Sequence, residues 1–120
     1  MKKTSNKKSI ITDYEDISAF SGAPAECTHH LIYGRGLREL ADEDGLTIPL
    51  TNAEHNMNPH GQRWQVHENA PAEALSRMLG QVAWEKEYIA NELCKTNSLK
   101  EIMYKEAREE FRKRYGISYL

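Results

Sequence analysis

The sequence predicts a small α+β domain in which a short β-hairpin precedes a helical C-terminal part. Two apolar runs, 28–33 and 46–50, are separated by glycines and acidic residues that are typical of turns. Residues 71–120 carry apolar side chains at helical spacing. With 120 residues, the chain can build one modest hydrophobic core but not two independent ones.

The hairpin is predicted to contain a strand, a connection and a return strand. Residues 1–16 are polar and are predicted to form a flexible arm ahead of it. The first strand is predicted over 30–33 and a short helical turn over 37–40. The return strand is predicted over 46–50. Pro49 indicates an edge or the end of that strand, because proline cannot donate a ladder hydrogen bond.

Two helices are predicted in the C-terminal part. Ser98 and Glu101 have the spacing of a capping box, so the second helix is expected to begin there, and Gly116 is expected to end it. A short helix or loop from Asn52 and an irregular excursion over 56–66 precede these helices. The apolar positions at helical spacing are Leu75, Met78, Leu79, Val82, Ala83, Ile89 and Leu93 in the first helix, and Leu99, Ile102, Met103, Ala107 and Phe111 in the second.

Composition and charge narrow the classes of function. The formal net charge of −2 argues against a protein that coats DNA tightly, but it allows an enzyme that contacts a few phosphates. No apolar run approaches the roughly 20 residues that cross a bilayer, and the basic start lacks the apolar stretch of a signal peptide. A cytoplasmic protein without a membrane partner is therefore expected. Cys27 and Cys94 form no Cys-x-x-Cys pair and are expected to be free thiols.

All five histidines fall between positions 29 and 67. Hydrolysis of a phosphodiester needs a divalent ion that neutralises phosphate charge and a base that takes a proton from water. A neutral imidazole can bind the ion as a ligand or act as the base. Adjacent strand residues point to opposite sides, so one residue of the His29-His30 pair can bind an ion while the other addresses the water. The alternative is a pair of surface or core histidines without a metal.

The segment 27–40, with its double histidine, and the segment 44–50, Asp-Gly-Leu-Thr-Ile-Pro-Leu, resemble the HNH (ββα-metal, His-Me finger) endonucleases of a small bacteriophage and prophage branch. The resemblance covers 17–120 as one domain. It implies a ββα-metal finger over about 26–70 and a C-terminal helical cap over about 71–120. Further similar segments are 66–69, 80–88 and 111–120.

The resemblance also implies roles for the histidines. His30 corresponds to the general base, and His29, His55 and His67 correspond to the ligands of one divalent ion, with His60 as the competing choice for the last ligand. Imidazole ligands suit Zn²⁺, Ni²⁺ or Mn²⁺, and the resemblance also allows Mg²⁺. The implied function is a metal-dependent DNA endonuclease without strong sequence specificity, since no recognition helix stands out.

Two departures from the family pattern change the expectations. Many relatives hold a structural zinc with cysteine pairs. Here Ser18, Ser21, Thr51 and Glu54 take those positions, and no structural zinc is expected, because hydroxyls bind zinc poorly. The Asn that gives the family its middle letter is also missing near Asp44, and the hypothesis is that the Asp44 carboxylate substitutes for it through a hydrogen bond.

Several alternatives stay open. Arg35 and Arg38 follow the first strand and are candidates for binding phosphates, because guanidinium matches phosphate geometry; a role in solubility, with salt bridges to Glu39 or Asp42, is the simpler alternative. The missing Asn and the acidic charge support a catalytically weak or inactive DNA-binding, recombination-accessory protein that keeps the finger as a scaffold. A purely structural zinc module would need all four coordination positions filled.

Overall fold

A two-stranded antiparallel hairpin leads into helices along this chain. The computed structural model describes residues 7–56, 65–95 and 100–120. These ranges hold two strands and four helices, which confirms the α+β class. In chain order the elements are β1 (Cys27–His30), α1 (Leu37–Asp44), β2 (Thr47–Leu50), α2 (Asn52–His55), α3 (Ala70–Lys95) and α4 (Lys100–Tyr115).

The first strand lies three residues earlier than the sequence predicts. The prediction of a strand over 30–33 is wrong, because β1 ends at His30 and the chain bends there. Leu31 and Ile32 are both buried, with 1% and 0% of their surface exposed. Successive residues of an extended strand face opposite sides, so a bend is needed to direct both side chains into the core.

The connection between the strands is a full helix. The predicted turn over 37–40 extends to Asp44, and Gly45 ends α1 in the left-handed conformation with φ 75°. A Cβ atom at Gly45 would lie 2.5 Å from the carbonyl oxygen of Lys8, so a side chain there would collide with the N-terminal segment. The backbone N–H of Ile10 donates to the Gly45 carbonyl at 2.9 Å, so this part of the predicted arm contacts the hairpin.

Helix α3 packs on the bend after β1 through small side chains. A Cβ atom on Gly80 would lie 2.9 Å from Cγ1 of Ile32, so only glycine allows this close approach. The approach brings Ser76, one turn earlier, against the backbone of the bend. The predicted apolar stripe is largely solvent-exposed: the buried residues of α3 are Ala72, Ser76, Gly80 and Gln81, while Leu75, Met78, Leu79, Val82 and Leu93 are exposed.

Helix α4 completes the core as its apolar spacing predicts. It packs against α3 and ends before Gly116, whose φ of 87° suits the predicted helix stop. Its predicted start at Ser98 lies outside the described residues. Among the described side chains of α4, Met103, Ala107, Phe111 and Tyr115 are buried; the predicted positions Leu99 and Ile102 lie outside them. No helix in the described part of the chain has the length and apolar character that crossing a membrane requires.

Candidate metal centre

Three of the predicted ligands come together on one side of the hairpin. His29 lies in β1, His55 at the end of α2 and His67 just before α3. One ring nitrogen from each lies within 4.8 Å of the others. We call these three residues the histidine cluster. His60, the competing ligand, lies outside the described residues.

Backbone hydrogen bonds hold the two later histidines at fixed positions relative to each other. The N–H of His67 donates to the carbonyl of His55 at 3.0 Å, and the N–H of Val66 donates to the carbonyl of Glu54 at 2.8 Å. Helix α2 is a single turn, which is too short to be stable alone. The reciprocal capping box between Thr51 and Glu54 stabilises this turn, which lacks the further backbone hydrogen bonds of a longer helix.

Ser76 sets the tautomer of His29. The Ser76 hydroxyl donates its single hydrogen to the Leu31 carbonyl at 2.7 Å, and its oxygen lies 2.9 Å from Nε2 of His29. A hydroxyl whose hydrogen is already used can only accept here, so Nε2 of His29 carries the proton. Nδ1 of His29 is then an unprotonated, buried nitrogen without a hydrogen-bond partner among the described residues.

His55 and His67 each use Nδ1 for a contact with another side chain. Nδ1 of His55 lies 3.6 Å from the Cys27 sulfur, and Nδ1 of His67 lies 3.3 Å from the Glu73 carboxylate. Their Nε2 atoms face each other at 3.1 Å. Two nitrogens bound to one zinc ion at a tetrahedral angle lie roughly 3.3 Å apart. The pair therefore has nearly the spacing that a shared cation requires.

The electrostatics at His29 and His55 favour neutral rings. Burial, followed by the electrostatic effect of His55 and His67, lowers the pKa of His29 from 6.5 to about 3. Burial and the neighbouring His67 also lower the pKa of His55. A metal binds the neutral imidazole, so deprotonation does not oppose binding at neutral pH. Three imidazoles, one of them with an orphaned buried nitrogen, fit a borderline divalent cation such as Zn²⁺.

His30 has an environment different from that of His29. It lies on β1 with 11% of its side chain exposed, and its Nε2 lies 3.0 Å from a carboxylate oxygen of Asp42 on α1. The hypothesis that Asp44 replaces the missing Asn is wrong, because Asp44 contacts Trp84, Arg114 and Tyr115 instead. The carboxylate beside His30 belongs to Asp42.

The four residues that replace the family's zinc ligands in the resemblance form a hydrogen-bonded cluster. The Ser18 hydroxyl donates to Glu54 at 2.6 Å, and the Thr51 N–H donates to the same carboxylate oxygen at 2.9 Å. The Ser18 oxygen accepts from the backbone N–H of Ser21 at 3.2 Å. Ser18 is 3% exposed. Hydrogen bonds thus join Ser18, Ser21, Thr51 and Glu54.

The predicted phosphate-binding arginines stand at the start of α1. Arg35 and Arg38 are exposed, and neither forms a salt bridge with a described residue. Arg38 is close enough to His55 to lower the pKa of that ring. Sequence reasoning missed a third arginine, Arg77, whose guanidinium carbon lies 4.3 Å from the centre of the Tyr33 ring.

Comparison with protein-family models, curated proteins and solved structures finds no match to this chain. The resemblance to HNH endonucleases therefore stays a prediction from the sequence motifs. The structure itself shows a short β-hairpin, four helices among the described residues and three histidines close enough to bind a metal ion.

Proposed function

We propose that this protein is a metal-dependent endonuclease that hydrolyses DNA phosphodiester bonds at the histidine cluster. In this proposal β1, β2 and α2 form a ββα-metal finger, and α3 and α4 form its helical cap. The main support is the buried Nδ1 of His29, which has no hydrogen-bond partner in the described structure. A buried polar atom without a partner costs roughly 1–3 kcal/mol, and a bound cation would remove this cost.

The chemistry divides between the two adjacent histidines of β1. A divalent ion held by His29, His55 and His67 would supply positive charge beside the scissile phosphate and the leaving 3′ oxygen. His30 takes a proton from the attacking water while the water oxygen bonds to phosphorus. The bond from phosphorus to the 3′ oxygen then breaks, and the leaving oxygen takes a proton from solvent.

Asp42 is the positioning residue for His30 in this proposal. Its carboxylate accepts from Nε2 of His30, which leaves Nδ1 as the basic nitrogen. A carboxylate in this place also stabilises the imidazolium that forms when His30 takes the proton. The acidic partner thus serves the purpose that the missing middle Asn has in the family.

The first test is nicking of supercoiled plasmid by metal-stripped protein, with Mg²⁺, Mn²⁺, Ni²⁺ or Zn²⁺ added in turn. We expect cutting by the wild type with at least one metal. We expect none by His30→Ala, whose zinc affinity stays at the wild-type level. Asp42→Asn should cut about 10- to 100-fold more slowly at unchanged metal affinity.

Two outcomes would redirect this proposal. If the folded protein binds a metal and cuts with none of the four, the accessory-protein alternative is favoured. If His30→Ala cuts as fast as the wild type, His30 is not the base. Zinc titrations of His67→Ala and His60→Ala decide the last ligand, because we expect the first variant alone to lose affinity.

A further inference from the structure

Arg77 is a half-buried cation beside the histidine cluster. It lies on α3 directly after Ser76, and its guanidinium stacks on the Tyr33 ring with a distance of 4.3 Å to the ring centre. The centre of the Tyr33 ring lies 4.8 Å from that of His67 and 5.7 Å from that of His29. The cation–π contact therefore holds a positive charge next to the proposed metal site.

Arg77 differs from the arginines of α4 in having no carboxylate partner in the described part of the chain. Arg108 pairs with Glu85, Arg112 with Glu109, and Arg114 with Asp44 and Glu43. Glu73, one turn before Arg77 on the same helix, accepts from the backbone N–H of Glu68 and contacts the His67 ring through Oε2, and its carboxylate also interacts with the Tyr33 hydroxyl.

Tyr33 adds a second incomplete group at the same place. Its hydroxyl is buried and makes no hydrogen bond of normal geometry with a described residue, although the Glu73 carboxylate lies close enough to contribute, after burial, to its raised pKa. The Arg77 guanidinium has no carboxylate partner in the described part of the chain, and the Tyr33 hydroxyl has only the weak contact with Glu73. Both groups are donors, so an oxyanion would complete both. The stacked ring also restricts the guanidinium, which reduces the entropy that binding costs.

We infer that Arg77, supported by Tyr33, binds a backbone phosphate of the nucleic acid. This inference rests on the proposed function, and it places the DNA strand along the α3 side of the histidine cluster. Arg35 and Arg38, the arginines singled out by sequence, lie at the start of α1. The Arg77 contact selects phosphate and carries no base specificity.

Equilibrium binding of a fluorescein-labelled 20-base-pair DNA duplex tests this inference without relying on cleavage. The full chain carrying His30→Ala and loaded with Zn²⁺ is the reference, and NaCl is varied between about 50 and 200 mM. Arg77→Met keeps the apolar stem on Tyr33 and removes the charge. We expect about 10- to 100-fold weaker binding, with the slope of log affinity against log salt smaller by roughly one.

Two further variants make the result specific to Arg77. Arg77→Lys keeps the charge without the planar fork, so we expect weaker binding with the reference salt slope. Arg112→Gln removes an arginine that pairs with Glu109 on exposed helix surface, and we expect it to leave the slope unchanged. Should Arg77→Met not fold, the Arg77→Lys result decides the matter.

Reference affinity and slope in the folded Arg77→Met variant, or reference affinity in Arg77→Lys, would overturn the inference. Failure of the reference protein to bind the duplex at 100 µM, on the order of non-specific affinities, would overturn it as well. Failure of the wild type to cut plasmid would instead count against the proposed nuclease, and it would leave the Arg77 result standing on its own.

Discussion

Two polar centres flank the same hairpin, and they differ in how well their groups satisfy one another. The Asp44 carboxylate accepts hydrogen bonds from Trp84 Nε1 at 3.0 Å, from Arg114 Nε at 2.7 Å and from the Tyr115 hydroxyl at 2.8 Å. The histidine cluster leaves the buried Nδ1 of His29 without a partner in the described structure. A complete network stabilises the fold, whereas an incomplete one indicates a place for a ligand.

The same difference appears in the chain segments that each centre joins. Asp44 ends α1 and binds side chains of α3 and α4, so it fastens the hairpin to both long helices. The three histidines come from β1, α2 and the segment before α3, which are short elements. We therefore expect changes at Asp44 to act on folding and changes at the histidine cluster to act on metal binding.

The largest effect expected is the stabilisation of the wild type by Zn²⁺. Free Zn²⁺ at about a thousand times its dissociation constant should add roughly 4 kcal/mol to the free energy of unfolding, which corresponds to a Tm increase on the order of 15 °C or more. His29→Gln should lose this increase, because its side chain cannot replace the orphaned imidazole nitrogen. His30→Ala should keep it. Differential scanning calorimetry with and without Zn²⁺ measures the shift, and an equal shift in His29→Gln would exclude His29 as a ligand.

The Asp44 network should give the next largest effect. Asp44→Ala leaves the Trp84 N–H and the Tyr115 hydroxyl without their acceptor and Arg114 with Glu43 alone, so we expect a loss of about 2–4 kcal/mol in the free energy of unfolding by urea. Glu43→Ala is the matched control. Glu43 contacts the same arginine from a side chain that is 67% exposed, and the expected loss is below about 1 kcal/mol.

The zinc-induced stabilisation separates the two centres. We expect Asp44→Ala to show the same zinc-induced increase in the free energy of unfolding as the wild type. A variant that loses both stability and zinc binding would mean that the two centres are coupled through the hairpin.

The resemblance to HNH endonucleases implied which histidines meet, and His29, His55 and His67 do lie together. The sequence did not predict the groups that orient them. Ser76 is 47 positions from His29, and Asp42 is 12 positions from His30. No local spacing relates residues so far apart. The missing Asn directed attention to Asp44. The carboxylate that reaches His30 belongs to Asp42, two residues earlier on α1.

Helical spacing likewise predicted that α3 is a helix, but it did not predict which side of the helix is buried. Apolar residues at Leu75, Leu79 and Val82 predict an amphipathic helix, yet the structure leaves all three exposed. The buried side uses Ser76 and Gly80, because a close approach to the bend after β1 leaves no room for large side chains. Packing distance, which no hydropathy pattern encodes, decided the orientation.

A smaller effect is expected at Ser76, whose hydroxyl contacts His29 in the histidine cluster. Ser76→Ala removes the acceptor that keeps the proton on Nε2 of His29. We expect about 10- to 100-fold weaker zinc binding, as for other groups that orient a metal ligand. Ser118→Ala is the matched control, because its hydroxyl contacts Gln81 and Leu120 away from the cluster. Zinc titration with a competing chelator measures both, and equal affinities would mean that Ser76 does not set the tautomer.

The smallest effect is expected at Ser18, in the cluster that takes the place of zinc ligands. The Ser18 hydroxyl donates to Glu54 and accepts from the backbone N–H groups of Phe20 and Ser21. Ser18→Ala removes these hydrogen bonds, but Glu54 keeps its bond from the Thr51 N–H, so we expect a loss of about 1–2 kcal/mol in the free energy of unfolding.

Because Glu54 precedes His55 on the single turn of α2, the Ser18→Ala variant also tests whether this cluster steadies a ligand. A twofold to fivefold loss of zinc affinity is expected, smaller than that of Ser76→Ala, since Ser18 reaches His55 only through α2 and not through the ring itself. Ser21→Ala removes an exposed hydroxyl that also interacts with Glu54, but with a smaller effect on the Glu54 pKa than the Ser18 hydroxyl has, so it should change both quantities less. If Ser18→Ala weakened zinc binding more than Ser76→Ala, the placement of α2 would matter more to the metal site than the tautomer of His29.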